Sequence, residues 1–232
     1  MKVIVSDFDL TFFTDNYLEN IRSINKFVAK GNLFVIATGR NITQLNKNIK
    51  GFNVNYEYLI CNDGGIIFDK KGNVIYRKDI DQDVVEPIFN ILDNDKNIAV
   101  TYIDDSINYV TNTSSNANAI IGAYVDKELA RNTLNKILKE YKNVHGYLSD
   151  NWINITDTSV NKANGVDHLK KYLNLDHDVI YTIGDNINDI EMLNNYHGYL
   201  IESSLNVMEK CGEGVVKSFK DLIEMLDKIN SN

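Results

Sequence analysis

The chain has few of the residues that mark secreted, membrane or nucleic-acid-binding proteins. Two of its 232 residues are cysteines, Cys61 and Cys211, which are far apart and in no metal-ligand spacing. We interpret them as reduced thiols of a cytoplasmic protein. Lysine and arginine number 24 against 32 aspartates and glutamates. The resulting net charge of −8 argues against nucleic acid and anionic membrane as partners.

Long hydrophobic runs and proline are also scarce. No apolar stretch is long enough to span a bilayer. Because the first residues enter a strand-like run at once, we expect no signal peptide. The single proline, Pro87, is expected in the first turn of a helix near 83–92, where proline is tolerated. The sequence therefore predicts a protein that neither crosses a membrane nor relies on disulfides.

Short apolar runs alternate with amphipathic helical segments at both ends of the chain. Such runs stop at Asp7, at Thr38, at Asn62 and at Gly184, as buried parallel strands do. Between about 79 and 157 the strands are paired and read as antiparallel, with two helices among them. We predict an α/β fold: a Rossmann-like parallel-sheet core, residues 1–78 and 158–232, with an inserted α+β domain, residues 79–157.

Polar clusters follow the apolar strands and would meet at one edge of the sheet, since ligands bind beyond the carboxyl ends of parallel strands. Each cluster alone is a weak signal, because aspartates often end strands, threonines cap helices and lysines are usually solvated. The candidate residues are Asp7 and Asp9, Thr38 and Gly39, Lys162, and Asp185 with Asn188 and Asp189.

Taken together the clusters form a specific pattern. The order Asp-x-Asp, Thr-Gly-Arg, Lys and Gly-Asp-x-x-Asn-Asp, each after its own strand, resembles the haloacid dehalogenase superfamily. The match is best with its Cof-type sugar-phosphatase group, and it covers almost the entire chain. The resemblance implies that the insert is a cap of the C2B type, which closes over the site and excludes bulk water.

The resemblance also implies roles for the candidates. Asp7 would be the nucleophile that becomes an aspartyl phosphate, and Asp9 the general acid and base. Asp7, Asp185 and the backbone carbonyl of Asp9 would bind Mg²⁺. Thr38, Gly39 and Lys162 would bind the phosphoryl group, and Asn188 and Asp189 would support the metal ligands.

Two departures from the group stand out. It often has glycine at position 10, where this chain has Leu10, and an asparagine before the glycine at 64, where this chain has Asp63. Neither change removes a catalytic residue. Two alternatives stay open: a phosphomutase of the phosphomannomutase type, which returns an isomeric sugar phosphate, and a catalytically inactive binding module.

The expected substrate is a small phosphorylated metabolite, with sugar phosphates preferred. A closing cap leaves little room for a polymer, and between 79 and 150 acidic residues outnumber basic ones by about two to one. The insert carries several amphipathic aromatic residues, for each of which a packing role is the favoured interpretation: Tyr102, Tyr109, Tyr124, Tyr147 and Trp152. The oligomeric state is not indicated by the sequence.

Overall fold

The first part of the chain alternates strands and helices, as its periodicity predicts. A computed structural model describes residues 1–206 and 208–229. Its first elements are β1 (Val3–Asp7), α1 (Tyr17–Ala29), β2 (Leu33–Ala37), α2 (Ile42–Ile49), β3 (Tyr58–Cys61), β4 (Ile66–Asp69) and β5 (Val74–Arg77). Over these two ranges, no helix combines the length and the apolar character needed to cross a membrane.

The middle of the chain forms a separate α+β module. Its elements are α3 (Gln82–Asp93), β6 (Ile98–Asp104), β7 (Tyr109–Val110), β8 (Ala119–Tyr124), α4 (Lys127–Glu140), β9 (Val144–Ser149) and β10 (Trp152–Asp157). The strands form an antiparallel five-stranded sheet in the order β7-β6-β8-β10-β9. Apolar side chains of α3 and α4 pack on one face of this sheet and give the module its own core.

The last part of the chain returns to the first sheet. It forms α5 (Lys162–Leu173), β11 (Ile180–Gly184), α6 (Ile190–Asn195), β12 (His197–Ile201), β13 (Gly214–Val216) and α7 (Phe219–Ile229). The sheet has eight strands in the order β13-β12-β11-β1-β2-β3-β4-β5. Strand β1 lies at its centre, where Val3 pairs in parallel with both Ile180 and Leu33.

Helices cover both faces of the eight-stranded sheet. Side chains of α1, α2 and α7 pack on one face, for example Ile24, Leu45 and Leu222. Side chains of α5 and α6, such as Val166 and Met192, pack on the other. A sheet buried on both faces explains why its strands are continuous apolar runs. The predicted α/β class, a Rossmann-like core with an inserted antiparallel module, is confirmed.

Two local predictions about the inserted module are wrong. Pro87 lies in the interior of α3, beyond its first turn. It is tolerated there because it lies on the exposed face of the helix, where the carbonyl that it leaves without an amide partner can bind water. The strand expected over 108–111 contains only Tyr109–Val110, and the sequence pattern missed β8, which is central to the sheet.

Candidate active site

The ends of three neighbouring strands bring the predicted residues together. Strands β11, β1 and β2 run parallel, so their carboxyl ends lie at the same edge of the sheet. Asp7 is the last residue of β1, Thr38 follows β2 and Asp185 follows β11. Lys162 begins α5, directly after the chain leaves the inserted module. Residues from distant parts of the sequence thus share one site.

A buried ion triad lies at the centre of the site. The Lys162 ammonium donates to Asp7 Oδ1 at 2.5 Å and to Asp189 Oδ1 at 2.7 Å. The Lys162 side chain is 1% exposed and that of Asp189 is fully buried. Burial disfavours the charged lysine, but Asp189 and Asp7 outweigh this cost and raise its pKa. Lys162 is therefore a fixed positive charge, not a solvated surface lysine.

Asp189 organises the loop that carries Asp185. Its second oxygen accepts hydrogen bonds from the backbone amides of Asp185 and Asn186, each at 3.0 Å. With Lys162 on the first oxygen, protein donors engage both oxygens of Asp189. These contacts are compatible with the supporting role predicted for Asp189, which stays a prediction. The other predicted supporting residue, Asn188, donates to Asp63 instead of to a carboxylate of this cluster.

Three carboxylates lie close enough to hold one cation. Asp7, Asp185 and Asp189 each offer an oxygen, and these oxygens lie within 4.8 Å of one another. Burial raises the pKa of Asp7 well above its usual value, and Lys162 offsets only part of this effect. Burial also raises the pKa of Asp185, against a hydrogen bond from the Thr11 hydroxyl at 2.8 Å. One ammonium against three carboxylates leaves negative charge that a divalent cation would neutralise.

Asp9 is held by an arginine to which the sequence analysis gave no role. The Arg40 guanidinium donates through Nε to Asp9 Oδ2 at 2.8 Å and through Nη2 to Oδ1 at 2.6 Å. This bidentate geometry fixes the direction of the carboxylate. Arg40 is itself anchored by a bond to Asn48 and by the Phe8 ring, 5.5 Å from its guanidinium carbon. Its place in the Thr-Gly-Arg cluster was the signal available in the sequence.

Thr38 and Gly39 form a tight loop beside the triad. The Thr38 hydroxyl accepts from the Arg40 amide at 3.1 Å, which leaves its own hydrogen free to donate. A Cβ on Gly39 would lie 3.2 Å from both carboxylate oxygens of Asp63 and 3.4 Å from the Tyr147 hydroxyl. The absence of a side chain at Gly39 therefore makes room for two groups that the sequence analysis did not assign to the site.

The inserted module forms the roof of the site. A cavity of about 350 Å³ lies between Asp7, Asp9 and Asp185 below and the free face of the antiparallel sheet above. Three of the aromatic residues that the sequence pattern singled out line it: Tyr109, Tyr147 and Trp152. Tyr124, in contrast, is part of the hydrophobic core of the module. The roof and the strand ends enclose a space suited to a small molecule.

Comparison with known proteins agrees with this geometry. A family model described as haloacid dehalogenase-like hydrolase matches residues 4–145 and 108–204, most of the chain. The chain belongs to the haloacid dehalogenase-like hydrolases. A Buchnera aphidicola protein that carries a provisional phosphatase name is 27% identical over 267 aligned positions, covering 98% of this chain and 97% of that protein.

Solved structures share the fold over the full length of the chain. A HAD/COF-like hydrolase from Plasmodium vivax superposes with a TM-score of 0.80 at 19% identity, covering 99% of this chain and 96% of its own. A subclass IIB sugar phosphatase gives a TM-score of 0.74 at 16% identity, with 99% of each chain covered. The predicted Cof-type membership is confirmed, and the chain is a phosphatase-type hydrolase.

At two positions, Leu10 and Asp63, this chain differs from the residues usual in the Cof-type group, and the structure shows the surroundings of both. Leu10 has a φ of 60°, a conformation that glycine adopts without strain, and its side chain lies exposed at the mouth of the cavity. Asp63 has a φ of 53° and lies buried between the strand ends and the roof. The first departure leaves strain in an exposed loop, and the second adds a carboxylate to the site.

Proposed function

We propose that this chain is a Mg²⁺-dependent phosphatase that hydrolyses small phosphorylated metabolites, with sugar phosphates as the expected class, through an aspartyl phosphate on Asp7. The observation that carries the proposal is the cluster of buried Asp7, Lys162 and Asp189 with half-buried Asp185, beneath a roof that carries aromatic residues. We take residues 79–157 as a cap domain and residues 1–78 with 158–232 as the core. We expect the protein to act in the cytoplasm, where its thiols stay reduced.

The residues present fit a magnesium ion. Asp7 and Asp185, with the backbone carbonyl of Asp9, are hard oxygen ligands of the kind that Mg²⁺ prefers. Asp189 is the weaker candidate ligand, because donors from Lys162, Asp185 and Asn186 already engage both of its oxygens. The bound cation would supply positive charge that lets an anionic carboxylate approach an anionic phosphate.

Hydrolysis then proceeds in two displacements. An Asp7 carboxylate oxygen attacks phosphorus, the bond from phosphorus to the ester oxygen breaks, and Asp9 protonates the leaving alcohol. In the second step Asp9 accepts a proton from water, whose oxygen attacks phosphorus and breaks its bond to Asp7. Lys162, the Thr38 hydroxyl and the Gly39 amide would hold the remaining phosphoryl oxygens.

Arg40 has a distinct part in this scheme. Its two hydrogen bonds fix the orientation of the Asp9 carboxyl group, which must exchange a proton first with the leaving alcohol and then with water. The acid form needed in the first step cannot accept both bonds equally well. We therefore expect at least one of them to lengthen when a phosphate ester binds.

The charge of the roof favours a phosphatase over a phosphomutase. A mutase of the phosphomannomutase type binds a sugar bisphosphate and needs positive charge for the phosphate that is not being transferred. Among the described residues that line the cavity, the cap contributes aromatic, aliphatic, hydroxyl and amide side chains but no lysine, arginine or histidine. The preferred substrate therefore carries one phosphate on an uncharged body.

Phosphate release from a panel of phosphorylated metabolites tests the proposal. The panel includes hexose monophosphates, a hexose bisphosphate, nucleotides, a phosphopeptide and a short oligonucleotide, each with Mg²⁺ and with excess chelator. We expect hexose monophosphates to be preferred, chelator to stop the reaction, and Asp185→Ala to raise the Mg²⁺ requirement sharply. Full activity in chelator, or a preference for the oligonucleotide, would contradict the proposal, and absence of turnover on every ester would favour an inactive binding module.

A further inference from the structure

Asp63 joins the cap to the catalytic loop. One of its carboxylate oxygens, Oδ2, accepts a hydrogen bond from the Tyr147 hydroxyl of the cap at 2.6 Å. The other, Oδ1, accepts from the Asn188 side-chain amide at 2.9 Å, in the loop that follows Asp185. One buried side chain thus connects the roof of the cavity to its floor.

The backbone around Asp63 is strained into this position. Asn62 and Asp63 have φ values of 49° and 53°, in the left-handed region that residues other than glycine adopt only in special positions. Backbone bonds fix the turn to the phosphate-binding loop, since the Asp63 amide donates to the Thr38 carbonyl at 3.0 Å. The turn therefore holds the Asp63 side chain in one place, beside the loop that follows β2.

The two donors match a carboxylate better than an amide. Burial and the neighbouring Asp63 raise the pKa of Tyr147 well above its usual value, so the hydroxyl keeps its proton and donates it. Asn188 also presents N–H donors. A carboxylate offers an acceptor to each, whereas an asparagine at 63 would turn its own N–H₂ group toward one of them.

The bonded residues also form a wall inside the molecule. A second cavity of about 170 Å³ lies beside the first and includes Asp63, His145 and Glu191 in its lining. Tyr147 and Asn188 line both cavities, so the Tyr147–Asp63–Asn188 chain separates them. Breaking the hydrogen bonds that join Tyr147, Asp63 and Asn188 would loosen the cap and open the main cavity toward the second one.

We propose that Asp63 is a positioning residue that latches the cap, through Tyr147, to the Asn188 loop when the site is closed. The proposal rests on the function proposed above, because it assigns the latch to the closure of that site. The latch acts on substrates whose turnover needs closure, and it contributes less to small activated esters whose leaving group needs little protonation.

The test combines Asp63→Asn, Tyr147→Phe and the double variant with two matched controls. Asp150→Asn alters an exposed cap aspartate with the same φ of 53°, and Tyr141→Phe alters a cap tyrosine at the end of α4. For glucose 6-phosphate we expect each latch variant to lower kcat/KM by about tenfold to a hundredfold, the loss typical of a buried hydrogen bond to a charged group. For p-nitrophenyl phosphate we expect a smaller loss. Because both changes break one contact, the double variant should be no worse than the worse single variant.

A second readout does not depend on turnover. Trp152, the only tryptophan, lies on the cap face of the main cavity and is 41% exposed. Acrylamide should quench its fluorescence more strongly in the latch variants than in the controls, because the cap opens more often. If the wild type hydrolyses neither ester, the proposed function is wrong. The quenching measurement alone then tests whether Asp63 and Tyr147 hold the cap closed. Unchanged quenching, or equal loss on both esters with a matching fall in Tm, would overturn the latch.

Discussion

Replacing Lys162 with methionine tests the electrostatics of the site without reference to any substrate. Methionine keeps most of the length of the side chain and suits a helix, but it removes the ammonium. The ammonium lies 2.5 Å from Asp7 and 2.7 Å from Asp189, in a side chain that is 1% exposed. Its loss leaves two buried carboxylates without their counter-charge.

The size of the expected loss of stability follows from the burial of the ion pair. Removing one partner of a buried ion pair costs about 3–5 kcal/mol, because the remaining charge stays desolvated and unpaired. The pKa of Asp7 is already raised by burial, so in the variant this carboxylate should bind a proton more readily. We therefore expect a loss of unfolding free energy of about 3–5 kcal/mol near neutral pH that shrinks toward about pH 5.

Urea unfolding at the two pH values, with and without Mg²⁺, measures the loss. Lys171→Met is the matched control, since Lys171 lies exposed on the same helix and its loss should cost less than about 1 kcal/mol. Added Mg²⁺ should restore part of the stability of the Lys162 variant, because a cation at Asp7 replaces the missing charge. A loss of unfolding free energy below about 1 kcal/mol near neutral pH, or a loss that is the same at both pH values, would refute the reasoning.

Three further predictions concern Asp104, Leu10 and Gly184. Burial raises the pKa of Asp104 to about 6. The native carboxyl thus binds its proton more tightly than the unfolded one, and stability should fall by up to about 3 kcal/mol as pH rises from about 4 to about 6. Urea unfolding across this pH range should show that Asp104→Asn removes the dependence of unfolding free energy on pH. An unchanged dependence would contradict the assignment to Asp104. Leu10→Gly should hold or raise the unfolding free energy, by up to about 1 kcal/mol, because it relieves a left-handed leucine whose side chain is 72% exposed; a loss as large as that of buried Leu45→Gly would contradict this. A Cβ on Gly184 would lie 2.5 Å from Asp189 Cγ. Gly184→Ala should therefore displace that carboxylate and lower Mg²⁺-dependent turnover by roughly a hundredfold, and wild-type turnover would show that the displacement is harmless.

The parallel core was predictable because its signals are local. Each central strand is an apolar run that stops at a polar cluster, and parallel pairing then places the clusters at one edge. Strand β8 was missed for a physical reason. It contains Gly122, whose missing Cβ accommodates the side chains of Ile98 and Leu92, so the packing that requires a glycine also weakens the strand signal.

The sequence predicted which residues belong to the site better than it predicted which of them contact one another. The sequence pattern named Asp7, Lys162 and Asp189, and the structure brings them within hydrogen-bonding distance. The contacts of Arg40 with Asp9 and of Tyr147 with Asp63 depend on how loops and the cap dock, which no local pattern encodes. Asp63 was recognised only as a departure from the group, and its two partners emerge from three-dimensional packing.

The most direct test of the central claim is to trap the phosphorylated enzyme. Wild-type protein is mixed with glucose 6-phosphate and Mg²⁺, quenched in acid within the first turnover, and analysed by peptide mass spectrometry. The account predicts a phosphoryl group on the peptide that contains Asp7 and on Asp7 itself, with neither this adduct nor phosphate release in a folded Asp7→Asn variant. Substantial phosphate release by the folded Asp7→Asn variant would contradict the account.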